Sequence, residues 1–411
     1  MKKTSLNTRI VIGAVLGIAL GLWMTAHKDS GATHNGIYLS GLIGGVFIDL
    51  LKMVMVPLVF SSIVVGIANL RAHQQLHRVW IATVIFSLST MAISVTIGIA
   101  SQNIFAPGSG LNLAMFHDAM HSINATQMSL GEFFAQFLHN LFINPFAALA
   151  QGNIIAIVMF SLLLGIALVV GGERYRNVQN LIQELFELSL LIVGWIMVIA
   201  PLGILALLAK LIATQDTALL LTLIKFIAVI MGTTLFHGLV VLPLILYLTT
   251  RVSPLKFFRG AREALITAFA TSSSSATMPL TLRCTEQHLH VSPSITRFVV
   301  PLGAHLNMDG TALYEAAVAL FVANLAGIEL NLVQQLVVCF TAMVAAIGAP
   351  GIPSAGMVTV AMVLQSVGLP VEAVAILLPI DRPLDTLRTV VNVEGDMVAC
   401  LVVQRFAGEK K

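Results

Sequence analysis

The sequence predicts an all-α polytopic membrane protein, and three observations carry that prediction. The 411-residue chain is 57% hydrophobic and only 10% charged, where a soluble domain carries roughly a quarter charged residues. Its mean hydropathy is +0.94. Apolar stretches long enough to cross a bilayer, about 20 residues each, recur at 9–26, 37–69, 80–101, 144–170, 180–211 and 217–248. Stretches longer than one span imply tilt or extension into water.

Charge sets the expected orientation. The net charge of +3 belongs to cytoplasmic loops rather than to a nucleic-acid face. Lys2, Lys3 and Arg9 put the N-terminus in the cytoplasm. Arg71 and Arg78 follow two spans later, Arg174 and Arg176 four, and Arg251, Lys256, Arg259 and Arg262 six. Arg405, Lys410 and Lys411 place the tail on the same side, whereas residues 102–140 hold no Lys or Arg. No cleavable signal peptide is evident. Cys284, Cys339 and Cys400 lack metal-ligand spacing and read as packing residues. Asn124-Ala-Thr126 matches a glycosylation acceptor, a weak pattern.

The chain divides near residue 250. Residues 1–250 hold six ordinary spans, rich in Leu, Ile and Val. Within them, Asp49 and Lys52 read as a structural pair or snorkelling charges, and His237 as a hydrogen-bonded helix contact. Residues 251–411 form a second part, and its apolar segments are broken. The four-serine run Thr271-Ser-Ser-Ser-Ser275, followed by Pro279, lies within 254–287, between two arms too short to cross a bilayer. Pro301-Leu-Gly303 and Asn307-Met-Asp-Gly-Thr311 interrupt 293–327, and Gly348-Ala-Pro-Gly-Ile-Pro353 interrupts 333–369. Non-helical backbone at membrane depth persists only where protein buries it or where it lines a cavity. Paired Gly/Pro-interrupted segments point to the binding site of an inverted-repeat transporter.

The last segment, 371–404, carries Asp381, Asp385, Arg388, Asn392 and Asp396, spaced 4, 3, 4 and 4. At about 100° per residue they share an arc of roughly 80°. Ionisable groups at this depth mark substrate or ion pathways; a salt-bridge seam that only joins helices is the alternative. Glu394 points off the stripe and receives no role. The planar fork of Arg388 suits a carboxylate, Asp385 suits an ammonium group, and the serine turn suits a second carboxylate. Two carboxylates and one amine describe an acidic amino acid. Asn307, Asp309 and Asp396 supply hard oxygen ligands that suit Na⁺. Glu315, one turn after Thr311, fits a proton carrier.

These residues resemble the glutamate/neutral amino acid transporter family, the dicarboxylate/amino acid:cation symporters. The motifs are Thr271 through Pro279, Asn307-Met-Asp-Gly-Thr-Ala-Leu-Tyr-Glu315, Gly351-Ile-Pro-Ser-Ala-Gly356, Arg388-Thr389 and Asn392-Val-Glu-Gly-Asp396, with 48–67 resembling the family's second helix. The resemblance implies eight transmembrane helices plus two re-entrant helical hairpins, inverted repeats and an elevator-type mechanism. It implies a homotrimer in the plasma membrane (the cell inner membrane in a bacterial host), with scaffold helices in the first part of the chain. The inner hairpin is then 254–287 and the outer, gating hairpin 333–369.

By the same resemblance, Ser272, Ser273 and Ser274 meet the substrate's main-chain groups. Thr311 and Arg388, with Thr389 beside it, hold the side-chain carboxylate; Asp385 takes the ammonium and Asn392 the α-carboxylate. The backbone around Ile352, Pro353 and Gly356 covers the ligand. One cation site uses Gly303, Asn307, Asn392 and Asp396. A second uses carbonyls at His305, Ala346, Ile347 and Ala349, and a third Asn307, Asp309 and Thr90. The chain departs from the family pattern at His305, usually Thr; at Met91, commonly Ser or Thr; at Ser87, often Tyr; and at Ser272 and Thr386, one of which is usually an accessory arginine. Arg382, one turn before Thr386, is placed to reach the same space.

The implied function is secondary active symport of glutamate and aspartate, coupled to Na⁺, H⁺ or both, with no organic cofactor and no enzymatic activity. A neutral amino acid exchanger and a C4-dicarboxylate carrier are the alternatives within the family, and a channel is the alternative outside it. The partners are a small acidic amino acid and the lipid bilayer, not nucleic acid.

Overall fold

The computed structural model describes residues 6–27, 30–68, 77–110, 138–139, 141–151, 153–214, 217–349 and 356–407. Outside them lie Ile352 and Pro353, the 124–126 triplet, and the charges Lys2, Lys3, Arg71, Lys410 and Lys411. The side chain of Lys52 lies outside as well, and with it the pairing with Asp49.

All regular structure among the described residues is helical. The first part of the chain holds α1 (Leu6–Ala26), α2 (Gly31–Ala68), α3 (His77–Phe105), α4 (Ile154–Gly171), α5 (Arg176–Thr214) and α6 (Thr217–Phe236). A π-helical turn, His237–Val241, joins α6 to α7 (Leu242–Thr250). Among the described residues, four stretches are long and apolar enough to cross a membrane: Thr8–Ala26, Arg78–Phe105, Met159–Thr214 and Leu221–Thr250.

The second part begins with α8 (Pro254–Thr271) and α9 (Ser274–Arg283), antiparallel arms joined by a two-serine turn. Next come α10 (Pro293–Leu306) and α11 (Asp309–Ala326), one path broken at Asn307 and Met308. Helices α12 (Leu332–Gly348) and α13 (Gly356–Ser366) follow, then α14 (Val374–Ala407).

Four sequence expectations shift in detail. The 144–170 span is divided, because Asn153 caps α4 by accepting from the Ala156 amide and a short helix, Pro145–Gln151, precedes it. Pro301 and Gly303 do not interrupt α10, nor does Pro279 interrupt α9. The non-helical backbone in those segments therefore lies at 307–308 and 272–273. Helix α12 starts at Leu332, where Asn331 and Gln334 form a reciprocal capping box. Helix α14 runs three residues past the expected end.

Burial is inverted relative to a soluble protein. Val15, Leu163, Val170, Leu181, Trp195 and Leu221 face outward, while Asp309, Glu315, Asp381, Asp385, Arg388 and Asp396 are enclosed. That arrangement suits an apolar solvent outside and a polar site within. Helices α1 and α2 pack along α5, and α2 along α4. A second group forms around α14, which touches α3, α8, α10 and α11. The polar stripe of α14 therefore lies at the centre of the segments that carry the backbone breaks.

Candidate functional site

The serine turn is built from backbone first. Ser272 ends α8 in the left-handed region, with φ 50° and ψ 38°, an uncommon conformation for a residue with a Cβ. Ser273 is extended, and its hydroxyl caps α9 by accepting from the Ala276 amide at 3.1 Å. The amides at the start of α9 are thus presented at a buried helix N-terminus, a ready anion-facing end. Ser272, Ser273 and Ser274 are all buried, and Ser272 Oγ has no hydrogen-bond partner among the described residues. Ser275 is exposed.

Small residues set how closely the interrupted helix lies on α14. A Cβ on Gly310 would stand 2.6 Å from the carbonyl oxygen of Arg388 and 2.8 Å from its Cα. A Cβ on Gly303 would overlap the carboxylate of Asp396. Main-chain atoms cannot rotate away, so Gly310→Ala is expected to destabilise the fold by about 1–3 kcal/mol through overpacking. Thermal unfolding in detergent checks this. Gly232→Ala is the control, since nothing lies within 4 Å of its Cβ position; it should leave the melting temperature unchanged or raise it.

The stripe on α14 divides into two halves. In the first, Arg388 Nη2 donates to Asp381 Oδ1 at 2.6 Å and to Asp385 Oδ1 at 2.9 Å. The guanidinium carbon sits 4.0 Å from the Tyr314 ring centroid, a cation–π contact. Nε and Nη1 of Arg388 have no hydrogen-bond partner among the described residues. Nη1 faces Gly356, the first residue of α13, where a Cβ would lie 3.1 Å away. Arg382 Nη1 donates to Asp385 Oδ2 at 3.4 Å. The fork and the ammonium acceptor pair with each other within α14, not across to another helix as a helix-joining seam would. Arg382, expected to reach towards the serine turn, also engages Asp385, because both project from adjacent turns of one helix.

In the second half Asn392 and Asp396 find partners on other elements. Asn392 accepts from the Gly310 amide at 2.8 Å and donates to Thr311 Oγ1 at 3.0 Å. Asn307 Nδ2 lies 3.5 Å from Asp396 Oδ1. Thr389 returns its hydroxyl to the Asp385 carbonyl at 2.8 Å. Thr90 Oγ1 of α3 stands 3.1 Å from Asp309 Oδ1, 3.3 Å from Asn307 Oδ1 and 3.2 Å from the Ser87 carbonyl. One hydroxyl hydrogen cannot satisfy three acceptors. The surplus of oxygen lone pairs in a buried setting is the chemistry of a hard-cation site. No cluster of three or more His, Cys, Asp or Glu side chains placed to hold a metal occurs among the described residues.

The remaining expected residues fall around this centre. Ala346 and Ile347 lie in the last turn of α12 and Ala349 caps it, and the Ala346 carbonyl accepts from the Ala349 amide at 3.0 Å. His305 lies in the last turn of α10, which packs against α12. Glu315 is fully buried; Thr359 of α13 donates to its Oε1, and Oε2 has no partner among the described residues. Met91 is packed in the apolar core, and Ser87 Oγ is buried with no hydrogen-bond partner among the described residues. Glu394 is buried too and points to the π-helical turn, where its Oε2 lies 3.1 Å from the Cβ position of Gly238.

Sequence reasoning missed two participants, Ser94 and Tyr314. Ser94 donates to the Asp309 carbonyl at 3.0 Å; its spacing of four from Thr90 on α3 is the signal that would have found it. Tyr314 lies in the interrupted helix beside Glu315 but reads as apolar. His237 was read as a helix contact, and the structure supplies its partner, Asp309 Oδ2 at 3.0 Å.

The chain is 32% identical to the proton/glutamate-aspartate symporter of Escherichia coli (strain K12), over 98% of this chain and 93% of that protein. It is 32% identical to excitatory amino acid transporter 3 of Mus musculus, over 97% and 84% respectively. It is also 32% identical to neutral amino acid transporter B(0) of Rattus norvegicus, over 98% and 80%. The family model described as sodium:dicarboxylate symporter matches residues 6–406, nearly the whole chain, and the protein therefore belongs to the sodium:dicarboxylate symporter family.

Proposed function

We propose that the protein is a secondary active symporter that takes up acidic amino acids, glutamate and aspartate, coupled to Na⁺, H⁺ or both. The observation that carries this reading is the stripe on α14: a buried guanidinium with two nitrogens that have no hydrogen-bond partner among the described residues, a carboxylate beside it, and an amide and carboxylate one and two turns on. Arg388 binds the side-chain carboxylate with Thr311 and Thr389. Asp385 takes the ammonium. Ser272, Ser273, Ser274 and Asn392 hold the main-chain carboxylate, and the outer hairpin, including Ile352, Pro353 and Gly356, covers the ligand.

The coupling ions use the second half. Asn307, Asp309 and Thr90 form one cation site, Gly303, Asn307, Asn392 and Asp396 another, and the carbonyls of His305, Ala346, Ile347 and Ala349 a third. Glu315 carries a proton. Asn392 bonds both Gly310 and Thr311, so cation and substrate groups share one backbone break. Filling either side orders that break for the other, which is the reciprocal linkage symport requires. The mobile unit is the set of segments around α14, including 251–411, moving elevator-like against scaffold helices from 1–250. Eight transmembrane helices and two re-entrant hairpins related as inverted repeats, a homotrimer, cytoplasmic termini and a plasma- or inner-membrane location complete the reading.

A neutral amino acid exchanger is the second reading. It is favoured by the internal pairing of Arg388 with Asp381 and Asp385, which a neutral substrate would leave undisturbed. The test is uptake of labelled aspartate and glutamate into proteoliposomes under separately imposed Na⁺ and H⁺ gradients. Accumulation driven by at least one gradient, with weak competition from serine and alanine, is expected. Strong competition by the neutral amino acids, or no accumulation under either gradient, overturns the proposal.

A further inference from the structure

His237 and Asp309 are both wholly enclosed, and Nε2 of the ring lies 3.0 Å from Asp309 Oδ2. A carboxylate has no hydrogen to give, so Nε2–H donates. The other oxygen of the same carboxylate, Oδ1, faces Thr90 Oγ1 and through it Asn307 Oδ1. Ser94 meanwhile holds the main-chain carbonyl of Asp309. A free carboxylate rotates about its last torsion and presents either oxygen in a broad range of orientations. Here one oxygen is tied back by the imidazole, and the other is turned to the cluster of surplus acceptors.

The local backbone places the ring. The turn His237–Val241 is π-helical, closed by the Leu242 amide bonding the His237 carbonyl. Single π turns interrupt helices frequently at functional sites. Gly238, the next residue, lies directly on α14, where a Cβ would stand 3.0 Å from Val391 Cγ2 and 3.1 Å from Glu394 Oε2. Close backbone approach at Gly238 brings the preceding imidazole within reach of Asp309, at the start of α11.

We infer that His237 is a positioning residue for cation coupling: its Nε2–H fixes the Asp309 carboxylate so that Oδ1 completes the oxygen set with Thr90 and Asn307. This rests on the reading of that oxygen set as a Na⁺ site. Loss of a partner that orients a metal ligand typically costs 10–100-fold in metal affinity.

The experiment is aspartate uptake by proteoliposomes of the full chain across a NaCl series, with choline chloride holding ionic strength constant. Wild type, His237→Leu and His237→Gln are compared. Leu removes the donor at similar volume, whereas Gln keeps an N–H at comparable reach. The Leu variant should raise the half-saturating Na⁺ concentration by roughly tenfold or more, with aspartate KM at saturating Na⁺ changed far less. The Gln variant should restore most of the Na⁺ affinity. A ring that merely joins helices would lower the yield of active protein and the maximal rate, leaving half-saturating Na⁺ unmoved; that result overturns the inference. Wild-type uptake driven by a proton gradient and indifferent to Na⁺ also overturns it, while leaving the symport proposal standing.

Discussion

Arg388→Cys is expected to reduce aspartate and glutamate uptake by roughly 100-fold or more while leaving binding of neutral amino acids such as serine far less affected. The buried guanidinium lies against Tyr314, Asp381 and Asp385, and its Nη1, without a hydrogen-bond partner among the described residues, faces the start of α13. A charge-assisted fork to a carboxylate in a dry site is worth about 3 kcal/mol, and each 1.4 kcal/mol is about tenfold in affinity. The substitution also strips Asp381 of its 2.6 Å partner. Breaking a buried pair costs about 3–5 kcal/mol, so the folded fraction must be measured beside uptake. Arg388→Cys/Asp381→Asn removes the stranded charge and should recover thermal stability without recovering acidic substrates. If aspartate uptake survives Arg388→Cys intact, Arg388 does not read the side chain and the acidic assignment is wrong.

Asp385→Asn should have a comparable effect through the other end of the ligand. Asp385 receives Arg388 on one oxygen and Arg382 on the other. An incoming ammonium must take over part of that coordination, and a neutral amide offers it no charge. We expect aspartate uptake to fall about 100-fold, again by the loss of roughly 3 kcal/mol of charge-assisted bonding. The change in specificity is more diagnostic than the loss. With Asp385 ionised, a dicarboxylate lacking the amine brings further negative charge beside that carboxylate and no ammonium to share it, a like-charge cost. With Asn in its place that cost is gone, so succinate should compete better against residual uptake in the variant than in the wild type. Uptake of aspartate unaffected by Asp385→Asn would remove the ammonium role from this residue.

Much of the site was legible before any coordinates, for a physical reason specific to this solvent. In an apolar chain, Thr271 through Ser275, Asn307 through Thr311 and the α14 stripe stand out, because each polar group at membrane depth requires a partner or a ligand. Helical periodicity placed Asp381, Asp385, Arg388, Asn392 and Asp396 on one face, and the structure finds each of them buried. What could not be read was how the stripe is shared out. Spacing alone left Arg388 and Asp385 equally able to pair with each other or to wait for a ligand. The breaks were located only to within several residues, since Pro279 and Pro301 are accommodated inside helices while Asn307 and Met308 are not helical. Span boundaries also depend on caps, as Asn153 shows by starting α4.

The sequence by itself determined the solvent, the helical class, the position of the polar breaks and the chemistry that α14 offers to a ligand. These follow from composition and from the fixed rotation per residue of a helix, both local quantities. The tertiary structure alone decided the partners: Asn392 with Gly310, Thr90 with Asn307 and Asp309, and His237 with Asp309 across 72 residues of chain. Such contacts depend on where helices cross and how close they come. Here that is governed by positions such as Gly238 and Gly310, where a missing side chain lets another helix approach.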